Sequence, residues 1–173
     1  SCMYNISNVL IQACINSFGT ATVAAATAYT KMDSIYWMIS GAFGISITTF
    51  VGQNYGAKKQ DRVRKSVQIC FAINCLTALL ISALMLAFCF PLLRIFTSDA
   101  EVIDIGQRMV HVVSPFYITF VTIEILSGAL RGMGNVVIPT ILTMSGVCIF
   151  RIIWIIVAVP HYTDFSGVYI SYP

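Results

Sequence analysis

Between Lys65 and Arg94 the chain reads SVQICFAINCLTALLISALMLAFCFPLL, Ser66 to Leu93, without one Asp, Glu, Lys or Arg. A helix needs about 20 mostly apolar residues to cross a bilayer core of roughly 30 Å, so this stretch alone is long enough to span. The pattern repeats on both sides of it. Long apolar runs separated by short polar connections give five candidate spans, at residues 1–18, 23–51, 66–90, 109–130 and 136–159. Hydrophobic residues make up 58% of the chain and charged residues only 10%, whereas a soluble domain carries about a quarter charged. A water-soluble fold is thereby excluded. Lipid offers no partner for free peptide groups, so spans of this length must be helices; barrel strands are about half as long and alternate polar with apolar. The expected fold is an all-α membrane protein, a polytopic helical bundle with residues 1–173 forming a single lobe.

The chain opens on Ser1 and stops at Pro173 just after a polar stretch, so both ends read as cut and a larger protein is expected. Six cysteines (Cys2, Cys14, Cys70, Cys75, Cys89, Cys148) lie in apolar stretches without Cys-x-x-Cys spacing. They read as small buried hydrophobes, with neither a disulfide framework nor a metal site indicated.

Lys and Arg set the orientation. The connection from Gly52 to Lys65 carries Lys58, Lys59, Arg62, Arg64 and Lys65 against Asp61, and Arg131 follows the fourth span; after the third span Arg94 stands among Asp99, Glu101 and Asp104. The positive-inside rule makes the second and fourth connections cytoplasmic and the third external. The tail after Val159, with Tyr162, Phe165, Tyr169 and Tyr172, has the aromatic content of an outer interface and points to a sixth helix beyond it.

Polar residues within the spans are the functional candidates. Asn5, Asn8, Gln12 and Asn16 are spaced by three, four and four on the first span, which places them within an arc of about 80°. Such a stripe is either interhelical glue, at about 1 kcal/mol or less per amide, or the lining of a substrate cavity. Four ionisable groups also fall inside spans: Lys31, Asp33, Glu124 and Arg151. Each costs a few kcal/mol to insert, which makes it a functional candidate by default. Lys31 and Asp33, two apart on one helix, point in nearly opposite directions and cannot easily pair. Structural ion pairs between helices, or a snorkelling Arg151, would account for all four. Alternatively Asp33 or Glu124 is a protonation or cation site, because an acid withdrawn from water can load and release a proton.

Other motifs carry less. The stretch GQNYGAK, Gly52 to Lys58, lacks the spacing of a phosphate loop and follows a membrane helix instead of a strand, so a nucleotide site is excluded. It reads as a helix leaving the bilayer through glycine-containing turns, as does GALRGMG from Gly128 to Gly134. Gly52 with Gly56, and Gly128 with Gly132, have the spacing that lets helices approach closely. Pro115 is either a first-turn residue or a hinge in the fourth span, and Pro139 a first-turn residue of the fifth. His111 and His161 have no neighbouring acid or cysteine at ligand spacing, and no paired acids sit at one membrane face, so an enzyme is not expected.

Three stretches, INSFGTATVAAATAYTKMDSIYWMISGAFGISITTFVGQNYGAKKQDRVRK from Ile15 to Lys65, PLLRIFTSD from Pro91 to Asp99 and GALRGMGNVVIP from Gly128 to Pro139, together resemble one lobe of a multidrug and toxic compound extrusion (MATE) transporter. The resemblance implies about five of the six helices of one lobe in a twelve-helix protein. The wording around Asn16 to Gly19 and Gly52 to Gly56 is more similar to the C-terminal lobe. It implies a multi-pass plasma-membrane antiporter that exports small organic, often cationic, compounds, driven by H⁺ or Na⁺ influx through alternating access. No cofactor beyond that ion is implied. The expected partners are substrate, membrane lipid and the missing N-terminal lobe, with no nucleic acid. Asn5, Asn8, Gln12 and Asn16 would line the cavity, Asp33 or Glu124 would change protonation or ion occupancy, and Lys31 and Arg151 would hold those acids between turnovers. Sodium-linked members carry carboxylates where this chain has Tyr4 and Asn5, and Phe120, so those sites do not transfer. The alternative is a lipid-linked oligosaccharide or polysaccharide flippase of the same superfamily, whose basic cavity would use Lys31 and Arg151.

Overall fold

The computed structural model describes Val9, Gln12, Ala13, Ile15, Asn16 and residues 19–143. The described residues form helices and no strand: α1 (Thr20–Gly56), α2 (Gln60–Ala87), α3 (Cys89–Phe96), α4 (Ala100–Val113), a 3-10 turn (Ser114–Phe116), α5 (Tyr117–Gly132) and α6 (Val137–Thr143). Most of the first expected span, and residues 144–159 of the fifth, lie outside them. Among the described residues three stretches are long and apolar enough to cross a membrane: Thr20–Gly56, Gln60–Ala87 and Ala100–Gly132. The all-helical membrane fold expected from the sequence is what the structure has.

Helix α1 is the axis of the bundle. At 37 residues it is about 55 Å long. Its buried positions, Ala25, Tyr29, Met32, Asp33, Tyr36, Ser40, Gly44, Ile47 and Val51, recur every three or four residues and form one stripe. That stripe packs chiefly on α5, then on α2 and α4. Away from it α1 and α2 expose large apolar side chains, among them Met38, Ile45, Leu76 and Leu80, as helices in lipid do.

The α1–α5 seam runs at four-residue spacing, Gly44, Thr48 and Gly52 against Glu124, Gly128 and Gly132, with a small residue at every place but Glu124, whose side chain lies over Gly44. A Cβ at Gly132 would lie 2.5 Å from the Thr48 carbonyl oxygen, and one at Gly128 would lie 2.7 Å from Ile47 and 2.9 Å from the Gly44 carbonyl. The Thr48 hydroxyl stands 2.7 Å from the Gly44 carbonyl of its own helix and 3.0 Å from that of Gly128 across the seam. The pairing expected of Gly52 with Gly56 is therefore corrected. Gly56 has nothing within 4 Å of its added Cβ, because it lies past the crossing, and Gly44 takes its place in the seam.

The C-terminal ends of α1 and α5 close in the same way. After α1, Lys59 N donates to Asn54 O and Lys58 N to Tyr55 O; after α5, Asn135 N donates to Leu130 O and Gly134 N to Arg131 O. These are Schellman closures, which need one residue in the left-handed region. Gly134 fills that place at φ 86°, but at the end of α1 it is Lys58, at φ 57°, and not a glycine. Pro115 lies within the 3-10 turn between α4 and α5. A proline has no N–H to give and its ring crowds the carbonyl four residues back, so regular helix ends there. The connection after the third span also holds more order than the sequence suggests: α3 buries Cys89 and Leu93, and Asp99 caps α4 by accepting from Glu101 N at 2.9 Å.

Candidate functional site

The α1 stripe carries Asp33 into the bundle, about 20 Å from the N-terminal end of that helix. Its side chain is only 6% exposed. One carboxylate oxygen accepts from the Tyr117 hydroxyl at 2.5 Å, the other from Trp37 Nε1 at 2.7 Å. Trp37 sits one turn on along α1, whereas Tyr117 is the first residue of α5, placed there by the proline turn. Tyr36 fixes Tyr117 from two directions. Its hydroxyl donates to the Tyr117 carbonyl at 2.8 Å, and the two rings stack at 3.9 Å. The Tyr29 hydroxyl lies 3.5 Å from that of Tyr117, and Met85 Sδ, on α2, is also 3.5 Å away. Three tyrosines, a tryptophan, a methionine and one acid thus join α1, α2 and α5.

Tyr117 and Trp37, which donate to that carboxylate, are both neutral. The Tyr117 hydroxyl has one proton, and the carboxylate is its shortest acceptor, so Tyr117 donates to Asp33.

Glu124 is held differently. It projects from α5 over Gly44, where its Oε1 occupies the space a Cβ would need. Arg131, two turns along and in the last turn of α5, approaches it at 3.4 Å, and the pair is one-third to two-fifths exposed. Cavities of about 140 and 230 Å³ border this pair on two sides.

The other expected residues are distributed as follows. Lys31 is exposed, with its ammonium 6.0 Å above the Phe96 ring. It makes no ion pair among the described residues, since it shares its helix with Asp33 but faces the other way, so it holds neither acid here. Of the amide stripe, Gln12 Nε2 donates to Asn16 Oδ1 at 3.2 Å on an exposed face; Asn5 and Asn8, like Arg151, lie outside the described residues. Phe120 sets its ring edge-on against Trp37 at 4.9 Å, shielding the tryptophan that serves Asp33. Sequence reasoning missed the aromatic partners. Tyr29, Asp33, Tyr36 and Trp37 lie at three- and four-residue spacing on α1 and carried a local signal, but nothing in the sequence ties them to Tyr117.

The MatE family model matches residues 1–157 of the chain. The chain belongs to this family. A probable multidrug resistance protein YoeA of Bacillus subtilis is 22% identical over 173 residues, 99% of this chain and 37% of that protein. A probable multidrug resistance protein NorM of Thermotoga maritima is 28% identical over 136 residues, 75% of this chain and 29% of its own length. Multidrug and toxin extrusion protein 2 of Mus musculus is 28% identical over 116 residues, covering 67% and 20% respectively. The chain therefore spans about a third or less of these relatives. In three dimensions it is similar to a crystal structure of MATE in complex with MaL6, with a TM-score of 0.87 and 16% identity over 98% of this chain and 37% of that one. That likeness concerns the fold. These matches and the apolar helices together establish a helical membrane protein of the MatE family.

Proposed function

We propose that this chain is the C-terminal lobe of a plasma-membrane antiporter that exports small organic, often cationic, compounds, and that its coupling ion is the proton, carried by Asp33. The observation that carries the reading is the buried Asp33 carboxylate, whose two oxygens accept from the neutral Tyr117 O–H and Trp37 N–H. Sodium requires converging oxygen acceptors; here the groups turned toward the acid are donors, which suit a carboxylate that gains and loses a proton. Loading would reorder the hydrogen bonds among Asp33, Tyr117, Tyr29 and Met85, a cluster that joins α1, α2 and α5. Such a two-state element, biased by a proton, is what alternating access requires. Glu124, already paired with Arg131 and reached by two cavities near the cytoplasmic end, would serve as the inner relay, and Gln12 and Asn16 would face substrate.

The test is transport by the full-length protein in proteoliposomes, with the proton and sodium gradients set independently. Asp33→Asn should abolish uphill export while retaining binding of a fluorescent organic cation, and Asp104→Asn, at an exposed surface pair, should transport normally. Export by Asp33→Asn that still follows the proton gradient would refute the assignment.

A further inference from the structure

A groove of about 480 Å³ runs between the cytoplasmic halves of α1 and α2, apart from the Asp33 cluster. Its walls are apolar, with Ile47 and Phe50 from α1 and Ile69 and Ile73 from α2, while Arg62 and Lys65 stand at its mouth. Phe50, Ile69 and Ile73 are each about half exposed. The volume is within the range of about 300–1,000 Å³ usual for small-molecule sites. From Arg62 to Ile73 along α2 is about 16 Å, roughly the depth of one leaflet of a 30 Å core. The mouth belongs to the connection that the charge rule places in the cytoplasm, where five basic residues face one acid. Neither Arg62 nor Lys65 forms an ion pair among the described residues.

We infer that this groove is a binding site for an anionic phospholipid of the cytoplasmic leaflet, with its phosphate between Arg62 and Lys65 and one acyl chain along Ile47, Phe50, Ile69 and Ile73. The charge pattern decides the occupant. An organic cation would be repelled at the mouth, and a zwitterionic lipid would gain nothing from two unpaired cations. A phosphodiester carrying net negative charge matches both, with the guanidinium able to grip two phosphate oxygens at once. The apolar length suits a chain that lies along the helices instead of crossing them. Such a lipid would touch α1 and α2 together and fasten the cytoplasmic ends of the two helices.

The experiment is native mass spectrometry of the full-length transporter in mild detergent, titrated with phosphatidylglycerol or with phosphatidylcholine of the same acyl chains. The wild type should retain phosphatidylglycerol at least about tenfold more tightly, given about fivefold for each basic group near an anionic headgroup. Arg62→Gln with Lys65→Gln should erase that preference. Lys58→Gln, Lys59→Gln and Arg64→Gln together, which remove more charge from the same turn but none from the groove, should leave most of it. Ile69→Trp should weaken both lipids by filling the trough. Unchanged phosphatidylglycerol retention in the Arg62/Lys65 variant would overturn the site, as would equal loss in the triple variant, which would mean a diffuse basic field. An organic cation that displaces the lipid and binds the Arg62/Lys65 variant more tightly would overturn it too, as a substrate site.

Discussion

Alanine at Gly132 and at Gly56 should change stability in opposite directions, although both glycines end a Gly-x-x-x-Gly pair. At Gly132 the new methyl would lie 2.5 Å from the Thr48 carbonyl oxygen and 3.0 Å from Val51 Cβ. Even a close C–H···O contact is at about 3.3 Å, so α1 and α5 must part by about 0.8 Å there. The obstacle is backbone in the middle of a long helix, which cannot rotate away. Overpacking of this kind costs about 1–3 kcal/mol, and the better helix propensity of alanine returns at most about 1 kcal/mol. Gly132→Ala should therefore lose about 1–2 kcal/mol. Gly56→Ala meets nothing within 4 Å and should be neutral or gain up to about 1 kcal/mol. The assay is reversible unfolding of the purified full-length transporter in mixed micelles with a rising fraction of denaturing detergent. Wild-type stability for Gly132→Ala, or an equal loss for Gly56→Ala, would refute the reasoning that the α1–α5 crossing is set by backbone contact.

Two further outcomes follow in the same assay. Tyr117→Phe takes the hydroxyl from Asp33 and leaves a buried oxygen short of a donor, which should cost about 1.5–3 kcal/mol as for hydrogen bonds to charged groups; no loss would mean that this bond contributes nothing to the fold. Lys58→Gly relieves a side chain held at φ 57° and should stabilise by about 0.5–1 kcal/mol, the left-handed penalty less the added chain entropy of glycine; destabilisation would show that the Lys58 side chain contributes more than its backbone costs.

The helical membrane fold was legible because its signals are local. The uncharged run from Ser66 to Leu93 marks a span by its length, and the five basic residues between Lys58 and Lys65 mark a loop by their charge. What the sequence withheld was the meeting of distant positions. Asp33 stood out as an ion in an apolar helix, but its donor Tyr117 is 84 positions away, on a helix that only the folded bundle lays beside it. Likewise Gly-x-x-x-Gly spacing describes one helix surface and says nothing of what approaches it. Gly56 and Gly132 look alike until α5 is laid on α1. The family's motifs order the helices, yet Phe120 and Asp33 show this chain placing ring and acid according to its own contacts.

The length of α1 has a mechanical consequence. At about 55 Å it exceeds the hydrocarbon core, and its glycine seam clamps α5 to it, so the two tilt as one stiff beam. A tilt of 10° about its midpoint would carry each end some 5 Å, about one helical turn. The acid in its N-terminal half and the basic elbow at Lys58 lie on opposite sides of that midpoint: Asp33 stands only about 7 Å from it, so the same tilt moves Asp33 by about 1.3 Å while the far end moves about 5 Å.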